Sequence, residues 1–112
     1  MRIAVPVAEK RLCQHFGHCA EFQLFDVDEQ EKKIISEKIV PAPEHQPGLL
    51  PAWLGEQGVT VVIAGGMGAR AQQLFAARQI KVVTGAPAFE PRQVVLSYLH
   101  GTLVTGENTC DH

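Results

Sequence analysis

Val59-Thr60-Val61-Val62-Ile63-Ala64, followed at once by Gly65-Gly66-Met67-Gly68, is the stretch on which the fold turns. Six residues in a row, four of them Val or Ile and one Thr, read as a central strand buried on both faces. The glycine turn then leads into Ala69 to Arg78, whose Leu74, Phe75 and alanines give one apolar side, as in a helix packed on a sheet. Ile80 to Thr84 reads as a second buried strand. A strand, a helix and a strand in immediate succession demand a parallel pair joined by a right-handed crossover.

Outward from that unit, residues 2–7 (Arg-Ile-Ala-Val-Pro-Val) form another short buried strand. Pro6 cannot donate to a ladder, so it belongs near the strand's end or at an edge. Residues 8–20 have no apolar period and read as a loop. Glu21 to Val27 puts Phe22 and Leu24 on one face and Phe25 and Val27 on the other. Lys33 to Val40 carries Ile34, Ile35, Ile39 and Val40, and Asp28-Glu29-Gln30-Glu31 between them reads as a hairpin turn. Asp26 and Asp28 look like residues of that turn. Residues 41–47 form a proline-stiffened loop. Leu50, Trp53 and Leu54 mark a helix over Leu49 to Gln57, ended by Gly58. Gly85-Ala86-Pro87 turns the chain into a last helix, Pro91 to His100, with Val94, Val95, Tyr98 and Leu99 inward. Gly101 to His112 reads as an irregular tail. The order β-β-β-α-β-α-β-α gives a three-layer α/β domain, a mixed sheet of about five strands with helices on both faces.

The chain has 112 residues, so residues 1–112 are expected to form a single domain. Ten Lys and Arg against 12 Asp and Glu leave a net charge of −2, against the basic balance of a nucleic-acid binder. No apolar run approaches the roughly 20 residues that span a bilayer. Met1 to Val7 has no signal-peptide pattern, which makes the cytoplasm the expected location. Catalytic machinery is thin: Ser36 and Ser97 fall inside a predicted strand and helix, unlike a nucleophile elbow.

Three Cys and five His stand out. Cys13-Gln14-His15-Phe16-Gly17-His18-Cys19 packs four soft or borderline ligands into one loop, and the tail adds Cys110 and His112. Thiolate and imidazole suit zinc, copper and iron–sulfur species. Gly17 would let His15 and His18 face one point. His45 lies in a loop on the side of the strand ends, with Glu44 beside it as a candidate hydrogen-bonding partner. Each residue also has an ordinary alternative. Cys13 and Cys19 would serve as small buried hydrophobes, His45 as a solvated loop residue, and the terminal Cys-Asp-His as a frayed end. Six of the eight Cys and His residues nevertheless fall in two short irregular segments. An odd cysteine count argues for metal chemistry over a disulfide framework.

Gly65, Gly66, Met67, Gly68 and Arg70 form the second constellation. Amides at a helix start bind anions, and glycines let a ligand approach the backbone. Ligands of open α/β sheets gather at the carboxyl ends of strands, where this turn falls. A tight turn that needs glycine for geometry is the alternative.

Several segments together resemble the dinitrogenase iron–molybdenum cofactor biosynthesis family, which includes NifX-like carriers and the C-terminal part of NifB enzymes. They are Ile3-Ala4-Val5-Pro6-Val7, His15-Phe16-Gly17-His18-Cys19 with Phe22, Gly65-Gly66-Met67-Gly68-Ala69-Arg70-Ala71, Ile80 with Val82, and Gly101-Thr102-Leu103. The ending Gly106 to His112 resembles a subgroup of small stand-alone members. The resemblance implies a ribonuclease H-like fold and the binding of an iron–molybdenum or related metal–sulfur cluster rather than substrate turnover. It marks His15, His18 and the Gly66–Gly68 turn as cluster-facing, with Cys19, Cys110 and His112 as the subgroup's additions.

The expectation is a non-enzymatic carrier or scaffold, with a cluster-donating or cluster-accepting protein as partner. The amides after Gly65 and the Arg70 guanidinium would offset the cluster's anionic charge. Two alternatives stand beside it. One is a zinc site joining tail to loop, and the other is a regulatory domain that holds an anion or small molecule at the glycine turn.

Overall fold

Two apolar faces on one sheet set the architecture. The computed structural model describes residues 1–13, 19–43 and 48–106. Its elements are β1 (Arg2–Ala8), β2 (Arg11–Leu12), β3 (Glu21–Asp28), β4 (Lys33–Pro41), α1 (Leu49–Glu56), β5 (Val61–Ile63), α2 (Ala69–Ala77), β6 (Lys81–Val83) and α3 (Pro91–Leu99). The strands form one mixed sheet in the order β4-β3-β1-β5-β6, with β2 paired to β1. β1, β5 and β6 run parallel, while β2, β3 and β4 pair antiparallel.

Strand alternation sends successive side chains to opposite faces. Ile3, Val5, Val7, Phe25, Val27, Val61 and Ile63 go to one face, where Val94 and Val95 of α3 cover them. Ala4, Phe22, Leu24 and Val62 go to the other, beneath Leu50 and Leu54 of α1 and Phe75 of α2. There the Phe22 and Trp53 rings stack at a tilt of 58°, with centroids 5.7 Å apart. The three layers and the helices on both faces match the sequence reading.

Four local differences have physical causes. Residues 8–20 are not all loop, because β2 folds back on β1 with Ala8 opposite Arg11. The two-residue turn between them holds Glu9 and Lys10 at φ 53° and 67°. That backbone normally calls for Asn-Gly, so the usual hairpin signal was missing. Pro6 sits near the end of its strand, as expected, although that strand is interior to the sheet, and its position is an edge locally. β5 pairs only with Ile3 and Ala4 and β2 only with Val7 and Ala8, so Pro6 falls between the two ladders. β6 is not a buried strand. It closes the sheet, with Lys81 exposed and Val82 and Val83 half-buried.

The fourth difference is Asp26, which lies within β3 and not in the turn. Arg2 grips it with Nε on Oδ1 at 2.8 Å and Nη2 on Oδ2 at 3.2 Å, and Ser36 Oγ donates at 3.0 Å. Asp28 does build the turn, accepting the amides of Gln30 and Glu31. The Arg2 hydrogen bond, aided by Ser36 and by the charges of Arg2 and Lys38, holds the Asp26 carboxyl below its ordinary value against a desolvation penalty. A carboxyl with a lowered folded-state pKa adds stability above its unfolded value, and the gain fades as pH falls through the folded one. Both side chains are partly exposed, at 28% and 41%, so screening limits the pair. Asp26→Asn should therefore cost about 1 kcal/mol at neutral pH. Chemical denaturation of the two proteins should converge as the pH falls through the lowered folded-state value of Asp26, once the carboxyl is protonated in both states.

Candidate functional site at the carboxyl edge of the parallel strands

β1, β5 and β6 end on the same edge of the sheet, and the backbone there is stitched across all three. At the end of β1, the Pro6 carbonyl accepts the Cys13 amide at 2.8 Å. The neighbouring Leu12 amide reaches the Phe89 carbonyl at 3.0 Å, which ties β2 to the loop before α3. At the ends of β5 and β6, the Gly85 amide donates to the Gly65 carbonyl and the Gly106 amide to the Gly85 carbonyl, both at 2.7 Å. The chain that leads toward Cys110 and His112 is thus fastened beside the glycine turn.

Gly85 has to be glycine for two reasons. Its φ is +78°, a conformation that L side chains resist, and the Gly106 carbonyl occupies the place of a Cβ. Neither glycine was singled out from the sequence. In the sequence Gly85 is marked only as part of a turn, and its dependence on Gly106 is a tertiary contact with no local signature.

Gly65 and Gly66 are buried and Gly68 half-buried, directly before α2. Gly68, which has no side chain, caps α2 with extended backbone, and among the described residues no side-chain cap bond reaches the helix's first amides. Those amides leave donors at the helix's positive end. The Met67 side chain is fully buried in the core, and Gln72 Nε2 holds its carbonyl at 2.9 Å. Met67 therefore anchors the turn from beneath with a buried side chain. Arg70, in the first turn of α2, is exposed.

Cys13 and Cys19 are joined as a disulfide, with Cα atoms 6.0 Å apart. The sequence reading argued against a disulfide framework and gave Cys19 to a metal as a thiolate. In this state Cys19 has no thiolate to give, and the thiolate role requires reduction of the bond. The pairing was hard to foresee, because two Cys six apart meet only if the intervening chain returns to its start. β2 and the start of β3 bring that about, both pairing with β1 near Val7. His15, His18, His45, Glu44, Cys110 and His112 lie outside the described residues. Among the described residues, no three His, Cys, Asp or Glu side chains come together as a metal site.

The family model for the dinitrogenase iron-molybdenum cofactor matches residues 1–101. The chain belongs to that family. Among similar proteins, the uncharacterized protein MJ0580 of Methanocaldococcus jannaschii is 32% identical over 78 residues, which are 67% of this chain and 66% of that one. The chain thus spans just under two thirds of that relative's length. The crystal structure of PH0822 superposes with a TM-score of 0.86 at 27% identity, covering 94% of each chain. The apo form of the orange protein from Desulfovibrio gigas superposes with a TM-score of 0.72 at 25% identity, covering 96% of this chain and 93% of that one. These likenesses bear out the family resemblance and the α/β architecture read from the sequence. No helix among the described residues is long and apolar enough to cross a membrane.

Proposed function

We propose that this chain is a non-enzymatic carrier or scaffold for an iron–molybdenum or related metal–sulfur cluster, which it receives from or passes to a partner protein. The family match over residues 1–101 is the observation that carries this reading. The edge geometry agrees with it in chemistry. The Cys13–Cys19 sulfurs at the end of β1, donors once reduced, share an edge with the first amides of α2 and with Gly106, which leads to Cys110 and His112.

In this reading, neutral His15 or His18 gives nitrogen to an exposed metal, and Cys19 and Cys110 give thiolates. His45 and His112 complete the soft donors. The amides of Gly66 to Arg70 and the Arg70 guanidinium offset the cluster's negative charge. Cargo held by a few protein donors and a charge cradle can be released to a partner.

Anaerobic reconstitution with iron, molybdate and sulfide tests this. Wild-type protein should retain a visible-absorbing cluster through desalting. His18→Ala and Cys110→Ser should each lower retained metal about tenfold, the equivalent of roughly 1.4 kcal/mol of binding. Retention equal to wild type in both variants would remove these residues from the site. A wild-type chain that keeps zinc alone under the same conditions would replace the cluster with a simple zinc centre.

A further inference from the structure

We propose that Cys13 and Cys19 are a reversible thiol–disulfide couple whose reduced form chelates a thiophilic metal ion, so that reduction readies this edge for its cargo. The last clause rests on the carrier reading above, whereas the couple itself rests on the geometry.

The two cysteines are positioned by the fold and not by the bond between them. Cys13 is held by its amide on the Pro6 carbonyl, directly after Leu12, which is paired to Val7 and bonded to Phe89. Cys19 stands two residues before Glu21, which is also opposite Val7, and the Ala20 carbonyl between them accepts the Ala42 amide at 2.9 Å. Both sulfur-bearing residues thus flank the same end of β1. Breaking the Sγ–Sγ bond leaves those backbone bonds intact. Two thiols with Cα atoms 6.0 Å apart then remain side by side. Pre-positioned thiolates are a soft bidentate donor, suited to cadmium, zinc, copper(I) or an iron of a cluster.

The exchange is balanced with a thiol as reductant. Exposure differs between the partners: Cys19 is 8% exposed, while Cys13 is only half-buried. Attack therefore falls on the Cys13 sulfur, forming a mixed disulfide there and expelling the Cys19 thiolate. A second reductant thiol attacks the reductant's own sulfur, freeing Cys13 and leaving with the first as a disulfide. Two electrons pass from the two thiols to the protein pair, and two protons follow. Binding of a divalent ion by the dithiol releases two protons.

The test uses the full chain, oxidised or reduced with a phosphine that is then removed, and Cd2+ as the probe. Titration follows the ultraviolet thiolate-to-metal charge-transfer band. The reduced protein should bind one Cd2+ per chain at least tenfold more tightly than the oxidised protein. Reduced Cys13→Ser and Cys19→Ser should each lose that advantage while melting as the reduced wild type does. Non-reducing peptide mapping should show the Cys13–Cys19 link. Equal affinity in both redox states, or a link of either residue to Cys110 instead, overturns the proposal. Cluster reconstitution of both forms separates the two readings. A cluster held equally by both forms overturns the redox control and keeps the carrier. Cd2+ held by the pair with no cluster under any condition keeps the couple and overturns the carrier.

Discussion

Replacing Gly85 with alanine should lower stability by about 2–4 kcal/mol. The residue's φ of +78° imposes about 1–2 kcal/mol of left-handed strain on any L residue. The new Cβ would also fall on the carbonyl group of Gly106, whose carbon would be 2.8 Å away and whose amide nitrogen 3.0 Å away. Something has to move, and the hydrogen bond from the Gly106 amide to the Gly85 carbonyl is lost with the displacement, at about 1 kcal/mol. Gly101→Ala is the matched control. Its φ of +72° carries the same strain, but nothing lies within 4 Å of the added methyl. Thermal melts should place Gly101→Ala between wild type and Gly85→Ala. Equal melting of the two variants would mean that the contact with Gly106 contributes no energy. On the proposed carrier function, freeing Gly106 should also lower cluster retention, because the segment that leads to Cys110 and His112 would lose its tie to Gly85.

Phe75→Ala should be the most damaging core substitution in α2, at about 3–5 kcal/mol. Phe75 is fully buried, and it packs α2 onto the face built by Ala4, Phe22, Leu24 and Val62. Domains of this size are typically stable by only about 5–15 kcal/mol, so the variant would approach its unfolding limit. Phe75→Leu keeps most of the volume and should cost less than about 1.5 kcal/mol if the neighbours repack. Denaturant titration of the pair measures the difference. Hydrogen exchange locates it: amides of α2 should lose protection before those of β1 and β3. A uniform loss across the sheet would show that α2 does not open on its own.

What the sequence could tell followed the length scale of each interaction. The crossover from Val59 to Thr84 was legible because an unbroken β-branched run and a helical apolar side are local patterns. The two faces of β3 were legible for the same reason, through the alternation of Phe22 and Leu24 against Phe25 and Val27. β2 was not, because two residues carry no period and Glu9-Lys10 adopts a turn usually signalled by Asn-Gly. The exposure of β6 was not legible either, since Val82 and Val83 look alike in a central or an edge strand. At the site, the Gly65–Gly68 turn was visible as a motif, although the sequence could not say that Met67 points inward. The Cys13–Cys19 bond and the Gly85–Gly106 contact depend on where separate strands end. Such meetings are fixed by the sheet's register, which no window of sequence contains.

The Phe22–Trp53 stack has an optical consequence. The chain contains a single Trp, so emission excited at wavelengths that only indole absorbs comes from one known place. That indole joins α1 to β3 inside a body only 36 × 28 × 27 Å across. An absorbing guest anywhere on such a body sits within energy-transfer reach of the indole. If the chain carries a cluster as proposed, the protein holds its own dye, and loading, unloading and hand-over would be followed in real time as dimming and recovery of one emission band, with no label attached.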